Sequence, residues 1–349
     1  MTATTERWTA GRAWEWYRRR PLPYGFNFLP STAVNSTEMW QSETFDAAAI
    51  DRELALGASC GFHSCRVFVQ YLVWRADPDG CKERIDAFLA IAARHGLSVV
   101  PILFDDCAFA GKEPYLGPQD DPVPGLHNSG WTPSPGPTIG DDPSARPDLE
   151  GYVRDIVGAF AEDERVLLWD LYNEPGNGGR GARSLPLLHD AFAWARAAGP
   201  GQPLTAAAWG GPAVGGLADG ASRTDPACLD LSDVVSFHQY DDAAALWGRI
   251  AALSRRGYPM VCTEWMSRPR GSLVATHLPL FVEHDVGCYL WGLVNGRTQT
   301  HYPWGSPRGA AEPDLWFHDL FRLDGAPYDA AEIDVIRRHS PSYGPGYRV

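Results

Sequence analysis

Short runs of apolar, β-branched and aromatic residues recur along the chain, and longer stretches of helical period lie between them. This alternation predicts a parallel sheet with crossover helices. Eight runs read as strands, at residues 24–29, 64–69, 98–104, 166–172, 204–209, 234–238, 260–263 and 287–291. Helical patterns fall at 45–58, 82–95, 149–160, 185–198, 243–255, 276–283 and 330–338. Eight strand–helix units predict a closed α/β barrel, a (β/α)8 TIM barrel, forming a single domain over residues 1–349. The Trp-rich residues 1–23 read as a short helical extension packed on it.

Two segments are long for loops, 105–146 and 293–328, following the third and eighth strands. Structureless loops beyond ~15 residues in a compact domain are usually functional or disordered. On a barrel, loops after strand C-termini form the face that carries active sites.

Composition sharpens this picture. A chain of 349 residues with 44% hydrophobic content can bury one large core, and a barrel of ~250 residues leaves room for those loops. The net charge of −13 argues against nucleic acid and anionic membrane partners, which select for clustered Lys and Arg. An uncharged partner fits better. Aromatic content is 12% with 14 Trp, and Trp40, Trp131 and Trp304 fall in predicted loops, where flat rings suit stacking on sugar faces. For any single Trp, core packing is the competing reading. No window of eighteen apolar residues exists, and no secretory pattern follows Arg18-Arg19-Arg20. Seven cysteines, with Cys65, Cys262 and Cys288 inside predicted strands and no C-x-x-C spacing, read as reduced packing residues of a cytoplasmic protein.

The candidate chemistry sits at two strand tips. Leu167-Leu168-Trp169-Asp170-Leu171-Tyr172-Asn173-Glu174-Pro175 and Met260-Val261-Cys262-Thr263-Glu264-Trp265 each deliver a Glu at the end of an apolar strand. An unpartnered ion is costly there, so a paired function is expected. Two facing carboxyl groups suit glycosidic bond cleavage, one as nucleophile and one as acid. A guanidinium and a phenol beside one such Glu would hold it ionised, and that charge would raise the pKa of the Glu facing it.

With Cys65-Arg66-Val67-Phe68, Ser236-Phe237-His238-Gln239-Tyr240 and Tyr289-Leu290-Trp291-Gly292, these motifs resemble the retaining glycoside hydrolases of the (β/α)8-barrel clan. The resemblance is greatest to family 5, the cellulase and mannanase group, and spans residues 24–340. It implies Glu174 as acid/base, Glu264 as nucleophile, and Asn173 as the residue holding the sugar 2-hydroxyl. It further implies Arg66 beneath the nucleophile, His238 and Tyr240 as the strand-six pair, and Trp291 as the floor of the −1 subsite. It implies neither metal nor cofactor. Many family 5 members carry a His at the end of strand three, where this chain reads Phe104-Asp105-Asp106-Cys107. Asp105 or Asp106 would then either bind sugar hydroxyls or sit in a solvated turn. Asn27 and Trp40 after strand one, and Asn295, His301 and Trp304 after strand eight, are further candidate sugar contacts.

Competing readings accompany each residue. Glu174 caps a helix or binds Arg180; Arg66 pairs with Asp170; His238 is a satisfied core histidine; Trp291 packs the barrel floor. Two other functions also stand, a carbohydrate-binding barrel without catalysis and a metal-dependent hydrolase using Asp105, Asp106, His127 and His238. Within glycosidases, both endo-action on a polymer and exo-action on a short glycoside are compatible with the motifs. The lack of a secretion signal or an appended binding module favours small glycosides, and the long loops would close one end of a cleft.

Overall fold

Strands buried on both faces are what a closed parallel sheet requires, and every strand of this chain has that character. The structure is a computed structural model describing residues 6–109, 111–210 and 221–341. Its strands are β1 (Tyr24–Phe28), β2 (Ser64–Phe68), β3 (Ser98–Asp105), β4 (Trp169–Asn173), β5 (Leu204–Thr205), β6 (Ala207–Ala208), β7 (Val235–Gln239), β8 (Met260–Trp265) and β9 (Val286–Leu290). All pairings are parallel, in the order β5-β4-β3-β2-β1-β9-β8-β7-β6. The two ends of that list are consecutive in sequence. β5 and β6 are therefore halves of the predicted fifth strand, and the ring closes through them as a (β/α)8 barrel. The break falls at Ala206, whose N–H is taken by Ser232 Oγ at 3.1 Å rather than by a neighbouring strand.

The predicted elements hold with shifted edges. The fourth strand begins three residues later than its apolar run, because Val166 makes only an isolated bridge to Val99. Among the described residues, four α-helices escape the periodic reading: Ser36–Trp40, Tyr71–Ala76, Pro137–Gly140 and Ala221–Leu231. The first three are too short to show a period, and the fourth contains Pro226.

Most of the apolar core lies between sheet and helices, in one cluster running from Tyr24 to Ile336. A second cluster fills the barrel base. There the N-terminal helix Ala10–Arg18, capped by Thr9, brings Trp16 and Tyr17 with Trp8 and Leu22 against Val100, Leu168, Val261 and Tyr289. Tyr17 Oη accepts the Gly287 N–H at 2.7 Å and thereby ties the plug to β9. Packing at this end also needs Gly25, since a Cβ there would stand 2.2 Å from Ser64 O and 2.8 Å from the Tyr289 ring. With its base filled, the barrel is open to chemistry only at the C-terminal ends of the strands.

Candidate active site

The site is built on a cation that has no contact with solvent. Arg66, from β2, points into the barrel and is fully buried. Its Nε and Nη2 donate to Asp170 Oδ2 at 2.9 and 2.8 Å, and Nη1 donates to Asn27 Oδ1 at 2.8 Å. The same fork reaches Glu264 Oε1 at 2.9 Å and Asn173 Oδ1 at 2.6 Å. The two readings of Arg66, an ion pair with Asp170 and a support for Glu264, thus hold together. Asn27 lies under the site rather than against a ligand, its amide donating to Thr263 O at 2.8 Å.

Glu264 and Glu174 meet above this guanidinium. Near Glu264 the pairing register of β7 and β8 shifts by a residue, an irregularity of the kind that re-aims a side chain. Tyr240 Oη donates to Glu264 Oε2 at 2.8 Å. Glu174 follows β4 directly and has φ of 43°, a left-handed conformation that a non-glycine residue adopts at a cost. A hydrogen bond of 2.6 Å joins its Oε1 to His238 Nδ1, and Cys107 Sγ donates to Oε2 at 3.2 Å. Asn177, one turn further on, also donates to Oε2. Donor atoms of Glu174, His238 and Glu264 all lie within 4.8 Å of one another, closer than the ~6.5 to 9.5 Å that leaves room for a water between the carboxyl groups in an inverting reaction.

Burial governs the protonation of the site. It pushes both carboxyl groups above the ordinary carboxylate range. For Glu264 this corrects the expectation from sequence: His238, Arg66 and Tyr240 do favour its ionised form, but loss of water outweighs them. For Glu174 the direction is as expected, although burial and not the facing carboxylate is the cause. His238 is lowered to about 4, chiefly by burial, so its imidazole is neutral. Tyr240 is raised, again first by burial and then by Glu264, and remains a donor.

Activity that needs one carboxylate and one carboxylic acid must fall on both sides of an optimum. Below it the nucleophile gains a proton, and above it the acid loses one, with apparent values that belong to the pair. Because both groups are raised, the acid limb is expected above ~4.5, the usual position of a free Glu. A pH profile of kcat/KM centred below that value would contradict this arrangement.

The remaining residues divide clearly. Trp291, one residue past β9, packs edge-to-face with Phe68 and Trp131 at 5.9 and 6.1 Å and lines a cavity of about 340 Å³. Trp304 is 41% exposed on its rim, its ring 5.1 Å from Tyr240. Asp105 and Asp106 are neither sugar contacts nor a solvated turn. Both are buried, and their oxygens are already engaged. Asp105 accepts from Asn173 Nδ2, Cys107 N and Trp131 Nε1 at 2.8, 3.0 and 2.7 Å. Asp106 accepts from Tyr172 Oη, Gly176 N and Ser184 Oγ and pairs with Arg180 at 2.8 Å, which takes Arg180 away from Glu174.

Like Arg66, Asn27, Asp105 and Asp106, three further candidates lie outside the cavity lining. Trp40 sits on the short helix Ser36–Trp40, which turns its ring into the core against Phe88, with Nε1 donating to Phe68 O. His301 packs on Tyr302 and Trp316 at 4.4 and 5.1 Å. Asn295 is held by its backbone, whose N–H donates to Phe321 O at 2.9 Å. The set Asp105, Asp106, His127 and His238 does not gather: among the described residues, the group of three whose donor atoms converge is Glu174, His238 and Glu264.

Sequence reasoning also missed Cys107, Asn177, Trp209 and His318, all lining the cavity. A signal existed for two of them. Cys107 stands just past the third strand, where the Asp pair drew attention instead, and Asn177 lies one turn beyond Glu174.

Comparison with known proteins agrees with this fold. Residues 125–291 match the family model described as Cellulase (glycosyl hydrolase family 5). No curated protein sequence matches the chain. Among solved structures, the fold is similar to GH5_18 from Streptomyces cattleya in complex with GlcNAc, with TM-score 0.60 and 16% identity over 92% of this chain and 80% of that one. It is also similar to the endo-β-1,4-mannanase from Thermotoga petrophila, with TM-score 0.60 and 14% identity over 95% and 79%. The exo-β-1,4-mannosidase Op5Man5 from Opitutaceae bacterium strain TAV5 superposes with TM-score 0.59 and 19% identity, over 92% of this chain but 60% of that one. The chain thus has the (β/α)8-barrel fold of these glycoside hydrolases, and just under half of it, residues 125–291, resembles glycosyl hydrolase family 5.

Proposed function

We propose that this protein is a single catalytic domain that hydrolyses β-linked glycosides with retention, using Glu264 as nucleophile and Glu174 as acid/base. The observation that carries the assignment is the pair of strand-end carboxyl groups within 4.8 Å of each other above one buried guanidinium. Their surroundings separate their roles. Glu264 is bonded directly to the Arg66 cation, which favours its ionised form over that of Glu174. Glu174 is held by a thiol, an amide and a neutral imidazole, none of which carries charge, so the shared proton rests there.

In the first step Glu264 attacks the anomeric carbon while Glu174 protonates the leaving oxygen, giving a covalent glycosyl-enzyme. The negative charge on Glu264 is then lost in the ester, and Glu174, now the more easily ionised, draws a proton from the incoming water. Asn173, fixed between Arg66 and Asp105, presents its amide edge toward the sugar 2-hydroxyl.

The substrate is a short glycoside attacked from one end. The loops after β3 and β9 are laced together: Asn128 N donates to Thr298 O at 2.8 Å, Gly309 N to Pro124 O at 2.7 Å, and Gln299 spans Gly125 N and Val123 O. Such a wall closes one end of the cleft, and a cavity of about 340 Å³ suits a substrate of very few sugar units. All seven cysteines are free and buried, which suits a reducing compartment such as the cytoplasm.

The test is product length. On β-1,4-linked oligosaccharides of increasing size, terminal units are expected as the first product at every length. Internal cleavage with mixed products from the outset would refute exo-action.

A further inference from the structure

Two histidines that the reaction scheme leaves idle face the same cavity. His127, from the loop after β3, and His318, from the loop after β9, have ring centroids 5.6 Å apart. Each ring is anchored through Nδ1 to a backbone carbonyl, His127 to Tyr302 O at 2.7 Å and His318 to Met266 O at 2.5 Å. A carbonyl can only accept, so Nδ1 carries the hydrogen, and in the neutral ring Nε2 is left as a bare lone pair. Burial keeps both rings neutral, bringing His127 to about 4 and His318 well below its ordinary value.

No protein donor reaches Nε2 of either ring among the described residues. An acceptor on the cavity lining with no protein donor is free for a ligand, and two side by side suit one that brings two donors. The surroundings fit a sugar ring. Trp304 lies 6.4 Å from His127 and 6.2 Å from His318, and Tyr240, whose hydroxyl holds Glu264, lies 5.4 Å from His318. The aromatic faces can take the C–H side of a pyranose while the two nitrogens meet its hydroxyl edge.

We propose that His127 and His318 form a specificity clamp whose Nε2 atoms accept hydrogen bonds from two neighbouring hydroxyls of the sugar held against Trp304. The clamp rests on the glycosidase reading and adds a substrate class to it: a glycoside whose ring bears a free vicinal diol at that point. Because both groups only accept, O-methylated, sulfated or uronate positions there find no match.

The probes are 4-nitrophenyl β-D-mannopyranoside and β-D-glucopyranoside with their monodeoxy and mono-O-methyl derivatives, compared by kcat/KM. With the unaltered protein, removing either of two adjacent hydroxyls is expected to lower kcat/KM roughly tenfold, the effect of one lost neutral hydrogen bond. His127→Phe and His318→Phe keep the aromatic packing and remove the acceptor. Each is expected to lose about as much on the intact glycoside and little more on the matching deoxy derivative. His127→Gln and His318→Gln, whose amide oxygen accepts, should recover part of the loss. Cleavage with the same deoxy-to-intact ratio in the unaltered protein and the Phe variants overturns the clamp alone, as does a deoxy series with no sensitive adjacent pair, which requires no variant to fold. A protein that cleaves none of these glycosides overturns the glycosidase reading and the clamp with it.

Discussion

Replacing Glu264 by Gln is expected to abolish turnover, lowering kcat by a factor on the order of 10³ to 10⁶ as for other removed nucleophiles. The fold should survive. Gln is nearly isosteric with Glu: its amide oxygen in place of Oε1 still accepts from Arg66 Nη1, and its NH2 in place of Oε2 can donate to Tyr240 Oη, which turns from donor to acceptor. Ligand binding measured by calorimetry should therefore persist while hydrolysis stops. This separates the enzyme from a carbohydrate-binding barrel, in which the unaltered protein and the variant would bind alike and neither would release product. Wild-type rates in the variant would remove Glu264 from the mechanism.

The second large effect is expected at Arg66. Arg66→Met leaves Asp170 and Glu264 in the barrel interior without their cation, and the two amide oxygens of Asn27 and Asn173 lose a donor. Breaking a buried ion pair from one side costs about 3–5 kcal/mol, so the urea midpoint should fall sharply. Activity should fall further than stability explains, because Glu264 loses the charge that favours its ionised form. Arg66→Lys is expected to recover only a fraction, since a single ammonium cannot reproduce the fork that spans both carboxylates and both amides. A variant that melts within about 1 kcal/mol of the parent would show that this cluster is not the keystone described above.

The sequence made the barrel legible because its strands are buried on both faces, and that leaves short continuous apolar runs between helical periods. Other features depend on remote partners. The division of the fifth strand hangs on Ser232, a side chain from the next unit that takes the Ala206 N–H. The turn of helix at Ser36–Trp40 is set by the Asn35 cap and packing against Phe88, and no period of five residues can announce it.

The same division runs through the site. Glu174, Glu264 and Arg66 were readable because a charged residue at an apolar strand tip needs a reason, and strand position fixes which end of the barrel it reaches. Loop residues carry no such constraint. Trp304 and His301 stand three residues apart in one loop, yet one ring meets the cavity and the other packs on Trp316 behind it. Asp105 and Asp106 looked available because a pair of acids after a strand resembles a turn. Their partners, Trp131, Ser184 and Arg180, arrive from distant segments. His318 gave no signal, since its role depends on a carbonyl at Met266 that fixes its ring from across the fold.

The most direct measurement is to trap the intermediate. Incubation with an activated 2-deoxy-2-fluoro β-glycoside, followed by proteolysis and mass spectrometry, should find one sugar esterified to the peptide that carries Glu264, while Glu174 stays unmodified. A label on Glu174, or prompt hydrolysis with inverted anomeric configuration and no adduct, would contradict a double displacement across these two carboxyl groups.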